Sequence, residues 1–287
     1  MHNMYYKNKE IAQNWFIGLQ QKIMAKCCEY EKSHAKFKKH SWTRKDNGGG
    51  GVFYTLEGET FEQVSVNVST VHGRFEDKFL KEIPGAVESH GQFWAGGISL
   101  IAHMNSPFLP IIHLNTRLIT TSKSWFGGGI DVTPIYYNHE DCNFFHGHLR
   151  DICDRYSLHA YDNFSRWADK YFFLPHRNEL RGIGGIFFDD LNTQNWDHDF
   201  QFVQDVGTAF LELQQYLMPK YENISWTNDQ KEYQLYRRGR YIEFNLLYDR
   251  GTRFGLMTDG NIEAIFASFP PNAKWGFNKM HWLYRNE

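Results

Sequence analysis

The sequence predicts a single α+β domain of 287 residues, and three observations favour this class. Several segments alternate apolar and polar residues, as in "QVSVNVSTVHG", where Val64, Val66 and Val68 alternate with polar side chains. Other segments repeat apolar residues at helical spacing, and these helices do not alternate strictly with the strands. No linker, internal repeat or low-complexity segment divides the chain. We therefore expect residues 1–287 to form one domain.

The first predicted element is an amphipathic helix in "IAQNWFIGLQQKIMA", where apolar residues recur every four positions from Ile11 to Ile23. We expect residues 1–40 to form a helical segment packed on the rest of the domain. The four glycines after Asn47, in "HSWTRKDNGGGGVFY", predict a mobile loop that enters a strand. Neither the P-loop pattern nor the GxGxxG spacing is present, so this is not expected to be a nucleotide loop.

The rest of the chain continues this mixture of strands and helices. Asn138 is a predicted helix cap, and Thr227 with Gln230 has the spacing of a capping box. Further helices are expected in "YDNFSRWADKYFF" and "DHDFQFVQDVGTAFLELQQYL". Strands are expected in "FWAGGISLIAH", "PIIHLNTRLITT", "GIGGIFFDDL", "RYIEFNLLYD", "TRFGLMT" and "NIEAIFASF".

The composition limits the possible functions. A net charge of −2 gives no global basic field for nucleic acid. The four cysteines form no Cys-x-x-Cys pair, and the N-terminus has neither an apolar leader nor the character of a transit peptide, so we expect a cytoplasmic protein. No apolar run is long enough to span a membrane. Aromatic residues make up 17% of the chain, which fits either a Phe-rich core or an aromatic pocket for a planar ligand.

Two predicted strands carry polar side chains on one face. In "PIIHLNTRLITT", His113, Asn115 and Arg117 lie two residues apart, and the same alternation places Ser99 and His103 on one side of "GISLIAH". The pattern fits a binding face. It also fits the solvated face that is common on antiparallel sheets.

Three further segments carry histidine, arginine or aspartate. His146 and Arg150 share a helix face in "FFHGHLRD" and could bind a carboxylate. His176 precedes Arg181 in "FLPHRNELRGIGG", where the arginines could clamp anionic groups or form surface salt bridges. His103, His113, His146 and His176 could assemble a metal site or could each pack separately.

"RRGRYIEFNLLYDRGTRFGL" predicts a hairpin with Asp249, Arg250 and Gly251 at its corner. A carboxylate beside arginines stays ionised at neutral pH, so Asp249 could act as a base or accept a hydrogen bond from a pyrrole or amide N–H. The alternative is a turn aspartate that binds its own backbone. No G-x-S-x-G elbow, Walker loop or HExxH motif occurs. Together, these segments indicate a pocket rich in Arg, His and aromatic residues, suited to a large planar polyanion.

Long stretches of the sequence resemble the oxygen-dependent coproporphyrinogen-III oxidase family. These stretches are "WFGGGIDVTP", "HRNELRGIGGIFFDDL" and "RRGRYIEFNLLYDRGTRFGL", supported by "VSVNVSTVHG", "GGISLIAHMNSP" and "IIHLNTR". The resemblance runs from about residue 45 to residue 275. It implies a large flat antiparallel sheet covered by helices on both faces, and a homodimer formed through about Tyr241–Gly276.

The implied reaction is the oxidative decarboxylation of two propionates of coproporphyrinogen III to vinyl groups. Dioxygen is the co-substrate, no organic cofactor is implied, and a divalent metal is possible. The resemblance implies His113 as proton donor and Asp249 as the group that engages the pyrrole nitrogens, with Arg250 beside it. Substrate binding is implied or expected at Ser99, Asn115, Thr116, Arg117, Arg181, Asp259, Gly260 and Asn261. The metal ligands implied in bacterial members match His103, His113, His146 and His176.

This resemblance gives the glycines of "WFGGGIDVTP" a possible purpose: they let a loop approach a macrocycle or turn sharply beside it. A tight turn with no ligand nearby is the alternative. Two other functions compete with the oxidase, namely a non-catalytic tetrapyrrole carrier and a histidine-ligated metal hydrolase. The carrier would have no need of Asp249 and His113, and both are present.

Overall fold

Seven strands form one antiparallel sheet at the centre of the protein, in the order β1-β2-β3-β4-β5-β6-β9. The computed structural model describes residues 2–45, 47–257 and 260–276. The sheet strands are β1 (Lys38–Thr43), β2 (Gly49–Leu56), β3 (Phe61–Arg74), β4 (Gln92–Met104), β5 (Ile111–Thr120), β6 (Ser124–Thr133) and β9 (Gly185–Leu191). A separate pair consists of β7 (Phe173–Leu174) and β8 (Glu179–Leu180).

Helices lie on both faces of this sheet, which confirms the α+β class. They are α1 (His2–Tyr30), α2 (His139–Tyr156), α3 (Ala160–Tyr171), α4 (Trp196–Tyr221), α5 (Asn228–Leu247), α6 (Arg250–Met257) and α7 (Ile262–Phe266), with a short 3-10 helix at Asp77–Phe79. The predicted caps are confirmed: Asn138 accepts from the backbone N–H of Asp141, and Thr227 and Gln230 form a capping box. No helix in the described part of the chain is long and apolar enough to cross a membrane.

One face of the sheet forms the main hydrophobic core. Strand alternation sends every second side chain of β3–β6 and β9 toward α1 and α4, where the two sets of apolar residues pack together. The buried sheet residues include Val64, Val66, Ile98, Leu100, Leu114, Ile130 and Ile186. Helix α3 lies along the edge strand β9, where Phe164 contacts Phe188 and Trp167 contacts Phe187.

The opposite face is covered at one end by the C-terminal helices. Tyr241 of α5 packs on Ile101 and Ile111 near the ends of β4 and β5. The Gln234 amide donates to the carbonyls of Met104, at 3.0 Å, and Ser106, at 3.1 Å, and thereby fixes α5 to the loop after β4. The other end of this face stays accessible, as the exposed Ser99 shows.

The predictions of strands in "RYIEFNLLYD", "TRFGLMT" and "NIEAIFASF" are wrong, because the described parts of these segments lie in α5, α6 and α7. The hairpin corner at Asp249 is therefore wrong as well. Tyr241, Phe244 and Tyr248 are three and four residues apart, which is the helical spacing that buries Tyr241 and Phe244 on one side of α5. Asn261 accepts from the backbone N–H of Ala264, so it caps α7.

The two glycine-rich segments were also predicted wrongly as loops. Strand β2 begins at Gly49 and includes three of the four glycines. "WFGGGIDVTP" forms most of β6, an interior strand paired with β5 and β9. Glycine in an interior strand marks a place where other groups come close. At Gly128 and Gly129 of β6 an added Cβ would lie within 2.5 Å of a backbone oxygen of the neighbouring strand, whereas at Gly127 it would meet side chains.

Candidate functional site

The candidate site is built on the sheet face that does not form the main core, which we call the polar face. Directly paired residues of an antiparallel sheet share a face. The registers therefore align three rows on it. The first row is Ile101, His113, Asp131 and Gly185. The second is Asn67, Ser99, Asn115, Gly129 and Phe187. The third is Ser69, Gly97, Arg117 and Gly127. The prediction that Ser99, His113, Asn115 and Arg117 share a face is confirmed.

His113 is held by a buried carboxylate on the neighbouring strand. Its Nδ1 lies 2.7 Å from Oδ1 of Asp131, and Asp131 is only 3% exposed. Burial acts to raise the pKa of Asp131, but the Arg181 guanidinium and His113 outweigh it and hold that pKa below its ordinary value. An ionised Asp131 can only accept, so Nδ1 of His113 donates and Nε2 is left as the ring nitrogen available for proton exchange.

Arg181 is part of this network rather than of an open surface. Its guanidinium pairs with Oδ2 of Asp131 and stacks over the rings of Phe172, Tyr241 and Phe244, at 4.2 to 4.8 Å from their centroids. Arg181 is 2% exposed. The expectation that it holds a substrate carboxylate is therefore corrected, since its donors face a protein carboxylate and aromatic rings. It acts on the site through Asp131.

Arg117 forms a second ion pair on the polar face, this one partly exposed. Its Nη2 lies 2.8 Å from Oδ2 of Asp189, and its Nη1 donates to Oδ1 of Asn115 at 3.4 Å. This pair crosses directly over Gly127, where a Cβ would lie 2.5 Å from Oδ1 of Asp189 and 2.9 Å from Nη2 of Arg117. The missing side chain at Gly127 makes room for the ion pair.

Asp249 and Arg250 lie beside the same face, next to Phe187. Tyr171 stacks on Phe187 with ring centroids 4.5 Å apart and donates its hydroxyl to Oδ1 of Asp249 at 2.8 Å. Burial, followed by the charge of Asp249, raises the pKa of Tyr171, so this hydroxyl stays a donor. Oδ2 of Asp249 accepts from the backbone N–H of Thr252 at 2.6 Å, so Asp249 does bind the local backbone, as a helix cap rather than as a turn residue. The Arg250 guanidinium lies over the Tyr171 and Phe187 rings.

Four other residues were expected to bind substrate, and the structure describes three of them. Thr116 is fully buried and points to the core face, opposite to Asn115 and Arg117, so its side chain is not on the polar face. Asp259 lies outside the described residues. Gly260 bonds to the carbonyl of Gly255, and the Asn261 side chain caps α7.

The four histidines expected to hold a metal have separate partners. His103 is fully buried, its Nε2 bonds to the carbonyl of Ser268, and burial followed by the Arg238 charge lowers its pKa to about 3. His146 bonds to the carbonyl of Ile183 and the hydroxyl of Tyr161, and His176 to Glu243 and Tyr248.

Among the residues that the structure describes, no group of three or more His, Cys, Asp or Glu side chains could hold one metal ion. The four imidazoles therefore do not fit a single-ion site within one chain, and we derive no step through a metal. His146 and Arg150 were also expected to bind an external carboxylate. In the structure both have partners within the protein, and Nη1 of Arg150 lies 3.3 Å from Oδ1 of Asp162.

Sequence reasoning missed three residues of this site: Asp131, Asp189 and Tyr171. Asp131 follows the glycines of β6 in strict alternation with Gly127 and Gly129, so recognising that segment as a strand would have placed it on the polar face. Asp189 meets Arg117 only because β9 lies beside β6 at the edge of the sheet, which the sequence does not indicate. Tyr171 lies in a helix, and nothing local in the sequence indicates its contact with Asp249, which is 78 residues away.

Comparisons with known proteins agree with the resemblance noted in the sequence. The family model described as Coproporphyrinogen III oxidase matches residues 11–282. The chain is 50% identical over 280 residues to the oxygen-dependent coproporphyrinogen-III oxidase of Rickettsia bellii (strain OSU 85-389), covering 95% of this chain and 100% of that protein. It is 51% identical over 283 residues to the protein of the same name from Rickettsia felis, with the same coverage. The protein of the same name from Rickettsia akari is 50% identical over 283 residues.

Proposed function

Since the chain belongs to the coproporphyrinogen III oxidase family, we propose that its polar face is where coproporphyrinogen III is bound and oxidised. The protein is an oxygen-dependent oxidoreductase of porphyrin and haem biosynthesis, and its reaction converts two propionate side chains to vinyl groups. For each propionate, one hydrogen and the carboxylate leave the side chain. The carboxylate departs as carbon dioxide, and two electrons reduce one dioxygen to hydrogen peroxide with uptake of a proton.

The observation that carries this assignment is that His113 and Arg117 lie on the polar face and that Asp249 and Arg250 lie beside it. Gly97 and Gly129 lie in the rows of this face and carry no side chain above it. A substrate with four carboxylates and an apolar macrocycle needs cationic groups around such a face. The exposed guanidinium of Arg250 and the partly exposed one of Arg117 supply those groups.

We assign His113 to proton transfer. Because Nδ1 is fixed by Asp131, the ring has one defined tautomer when neutral, and Nε2 is the atom that takes up or releases a proton. His113 is partly exposed while Asp131 is buried, so only the imidazole can reach the substrate. Asp131 orients the ring, and Arg181 keeps Asp131 ionised.

We assign Asp249 to the pyrrole N–H. Each of its oxygens already accepts one hydrogen bond, from Tyr171 or Thr252, and each keeps a further lone pair. A carboxylate that accepts the pyrrole N–H makes the ring more electron-rich, so dioxygen can add to it without an organic cofactor. The ring-bound peroxide then takes the hydrogen from the propionate carbon next to the ring. Carbon dioxide leaves, the vinyl double bond forms, and the peroxide departs as hydrogen peroxide.

We also propose that the protein is a homodimer formed through about residues 241–276. Large apolar side chains in this stretch are exposed in the single chain, including Leu246 at 46%, Leu247 at 50% and Ile262 at 59%. Trp275 is 54% exposed in the same region. Several large apolar side chains exposed within one stretch of the chain favour a surface that another protein covers.

The experiment that tests the assignment combines oxygen dependence with one variant. Purified protein is mixed with anaerobically prepared coproporphyrinogen III, oxygen is admitted, and protoporphyrin fluorescence is measured after chemical oxidation. We expect product only with oxygen. We expect Asp249→Asn to lower kcat by at least about a hundredfold, on the scale of a lost acid–base group, while anaerobic substrate binding changes little.

Three outcomes would contradict these assignments. Substrate binding without oxygen-dependent product in the wild type would indicate a carrier. Undiminished turnover of Asp249→Asn would remove Asp249 from the chemistry. Product that is lost with EDTA and restored by a divalent ion would show that a metal acts in the reaction after all.

A further inference from the structure

Asn67 is a polar residue on the polar face that the proposed chemistry does not use. It lies in the middle of β3 and pairs directly with Ser99 of β4, which in turn pairs with Asn115 of β5. Three adjacent strands thus present an amide, a hydroxyl and an amide in one straight row. Neighbouring strands are about 4.8 Å apart, so the row is about 10 Å long. Ser99 is exposed, and both asparagines are partly exposed.

The fold does not use the Asn67 amide. Its Oδ1 is shielded from solvent, and no residue in the described part of the chain donates a hydrogen bond to it. Its Nδ2 is accessible to solvent, and no described residue accepts from it. A shielded, unpaired amide oxygen destabilises a fold. Structural stability therefore gives no reason for an asparagine at this position in the strand.

The row offers donors rather than acceptors to the open face. Oδ1 of Asn115 accepts a hydrogen bond from the Arg117 guanidinium, so Nδ2 is the atom of this amide that is available to a ligand. Asn67 likewise has its Nδ2 accessible, and the Ser99 hydroxyl can rotate to donate. A carboxylate is an acceptor only, with two oxygens and about four lone-pair sites, so it suits a row of N–H and O–H donors.

We infer that Asn67 is an additional substrate-binding residue, which forms with Ser99 and Asn115 a neutral subsite for one propionate carboxylate of the tetrapyrrole. The inference rests on the proposed function, because it takes the ligand to be coproporphyrinogen III. Asn67 lies two strands from Asn115, away from the Arg117–Asp189 pair.

Three substitutions at Asn67 test the inference through steady-state kinetics. We expect Asn67→Ala to raise KM for coproporphyrinogen III by about tenfold, with kcat changed by less than about twofold, because uniform binding is lost. Asn67→Asp should raise KM further, since a carboxylate would then face a carboxylate. Asn67→Ser keeps a donor and should lie between the wild type and Asn67→Ala. The matched control is Thr70→Ala, three residues along the same strand but pointing to the opposite face, which should leave KM unchanged.

Stability and activity distinguish the possible failures. The melting temperature of Asn67→Ala should not fall relative to that of Thr70→Ala, because the amide makes no bond within the described fold. A wild-type KM for Asn67→Ala would overturn the inference while leaving the oxidase assignment intact. Tighter substrate binding by Asn67→Asp would also overturn it, by showing that the residue accepts a pyrrole N–H. A wild-type protein without oxygen-dependent product would overturn both proposals.

Discussion

Gly127 has no side chain, and this leaves room for an ion pair on the polar face. The Arg117–Asp189 ion pair crosses the sheet over this residue, within 3 Å of where a Cβ would be. The atoms that a Cβ would displace are the ends of the Arg117 and Asp189 side chains. An alanine could therefore be accommodated without a change in the backbone, but the Arg117 guanidinium would have to move. The glycine thus positions the Arg117 guanidinium on the face that we propose binds the substrate.

We therefore expect Gly127→Ala to lower kcat/KM by about ten- to hundredfold, the scale of a small misplacement of a binding group. Melting temperature and kinetics measured together would check this expectation. Gly147→Ala is the control, because nothing lies within 4 Å of its added Cβ. It lies inside α2 and should stabilise the fold by up to about 1 kcal/mol without changing kinetics. Equal kinetics for the two variants would refute the role given to Gly127.

The Asp131–Arg181 pair shows how buried charges depend on each other. Removing one partner of a buried ion pair destabilises a protein by about 3 to 5 kcal/mol, because the other charge is left unpaired. We expect Arg181→Met and Asp131→Asn each to approach this loss in chemical denaturation. The double variant should lose clearly less than the sum of the two. Strict additivity would mean that the two side chains do not interact in solution.

At the level of elements, one carboxylate ties the end of α1 to the turn between β2 and β3. Glu31 follows the end of α1 and accepts backbone N–H groups from Ser33, Glu59, Thr60 and Phe61 at 2.7 to 3.2 Å. Burial acts to raise the pKa of Glu31, but these donors together lower it below its ordinary value of 4.5. Glu31 therefore fixes the turn between β2 and β3 against the helix.

Glu31→Gln should reduce the free energy of unfolding at neutral pH by about 1 to 2 kcal/mol, as expected for lost charge-assisted hydrogen bonds. Because the folded-state pKa is lowered, this stabilisation is present above pH 4.5 and disappears as the pH falls through the lowered value. Denaturation curves at several pH values should show the two proteins converging in acid. Glu29→Gln, on the exposed end of α1, should change stability by less than about 0.5 kcal/mol. A gap that persists at low pH would contradict this account.

At the level of the whole molecule, the C-terminal helices have two faces with different surroundings. Tyr241 and Phe244 of α5 are buried against the rest of the fold, whereas Leu246 and Leu247 at its end are exposed. The same helices carry Asp249 and Arg250 to the polar face. A dimer formed through this region would therefore support the helices that position Asp249 and Arg250, to which we assign roles in the reaction.

Leu247→Glu should convert the proposed dimer to a monomer in sedimentation equilibrium, because a carboxylate would be buried without a partner. Leu158→Glu is the control, since Leu158 is 81% exposed and lies outside residues 241–276. A wild-type protein that sediments as a monomer would overturn the dimer proposal, and so would a dimer that Leu247→Glu leaves intact.

The sequence alone determined the class of fold, the helices with clear caps and the shared face of Ser99, His113, Asn115 and Arg117. These features depend on local periodicity and local hydrogen bonds, which neighbouring residues define. Its long motifs also indicated the family. It gave the capped start of α5 but not the end of that helix, nor α6 and α7. Short segments rich in Tyr, Phe and Ile fit a strand by composition, and packing on the sheet decided in favour of helices.

Only the tertiary structure decided which charges meet. Asp131 lies opposite His113 because β5 and β6 pair in one register, and Arg181 is buried because Phe172, Tyr241 and Phe244 come together from distant parts of the chain. Burial and pairing are properties of residues brought together over long separations in sequence. For that reason Arg181, expected as a substrate clamp, instead supports the carboxylate that holds His113.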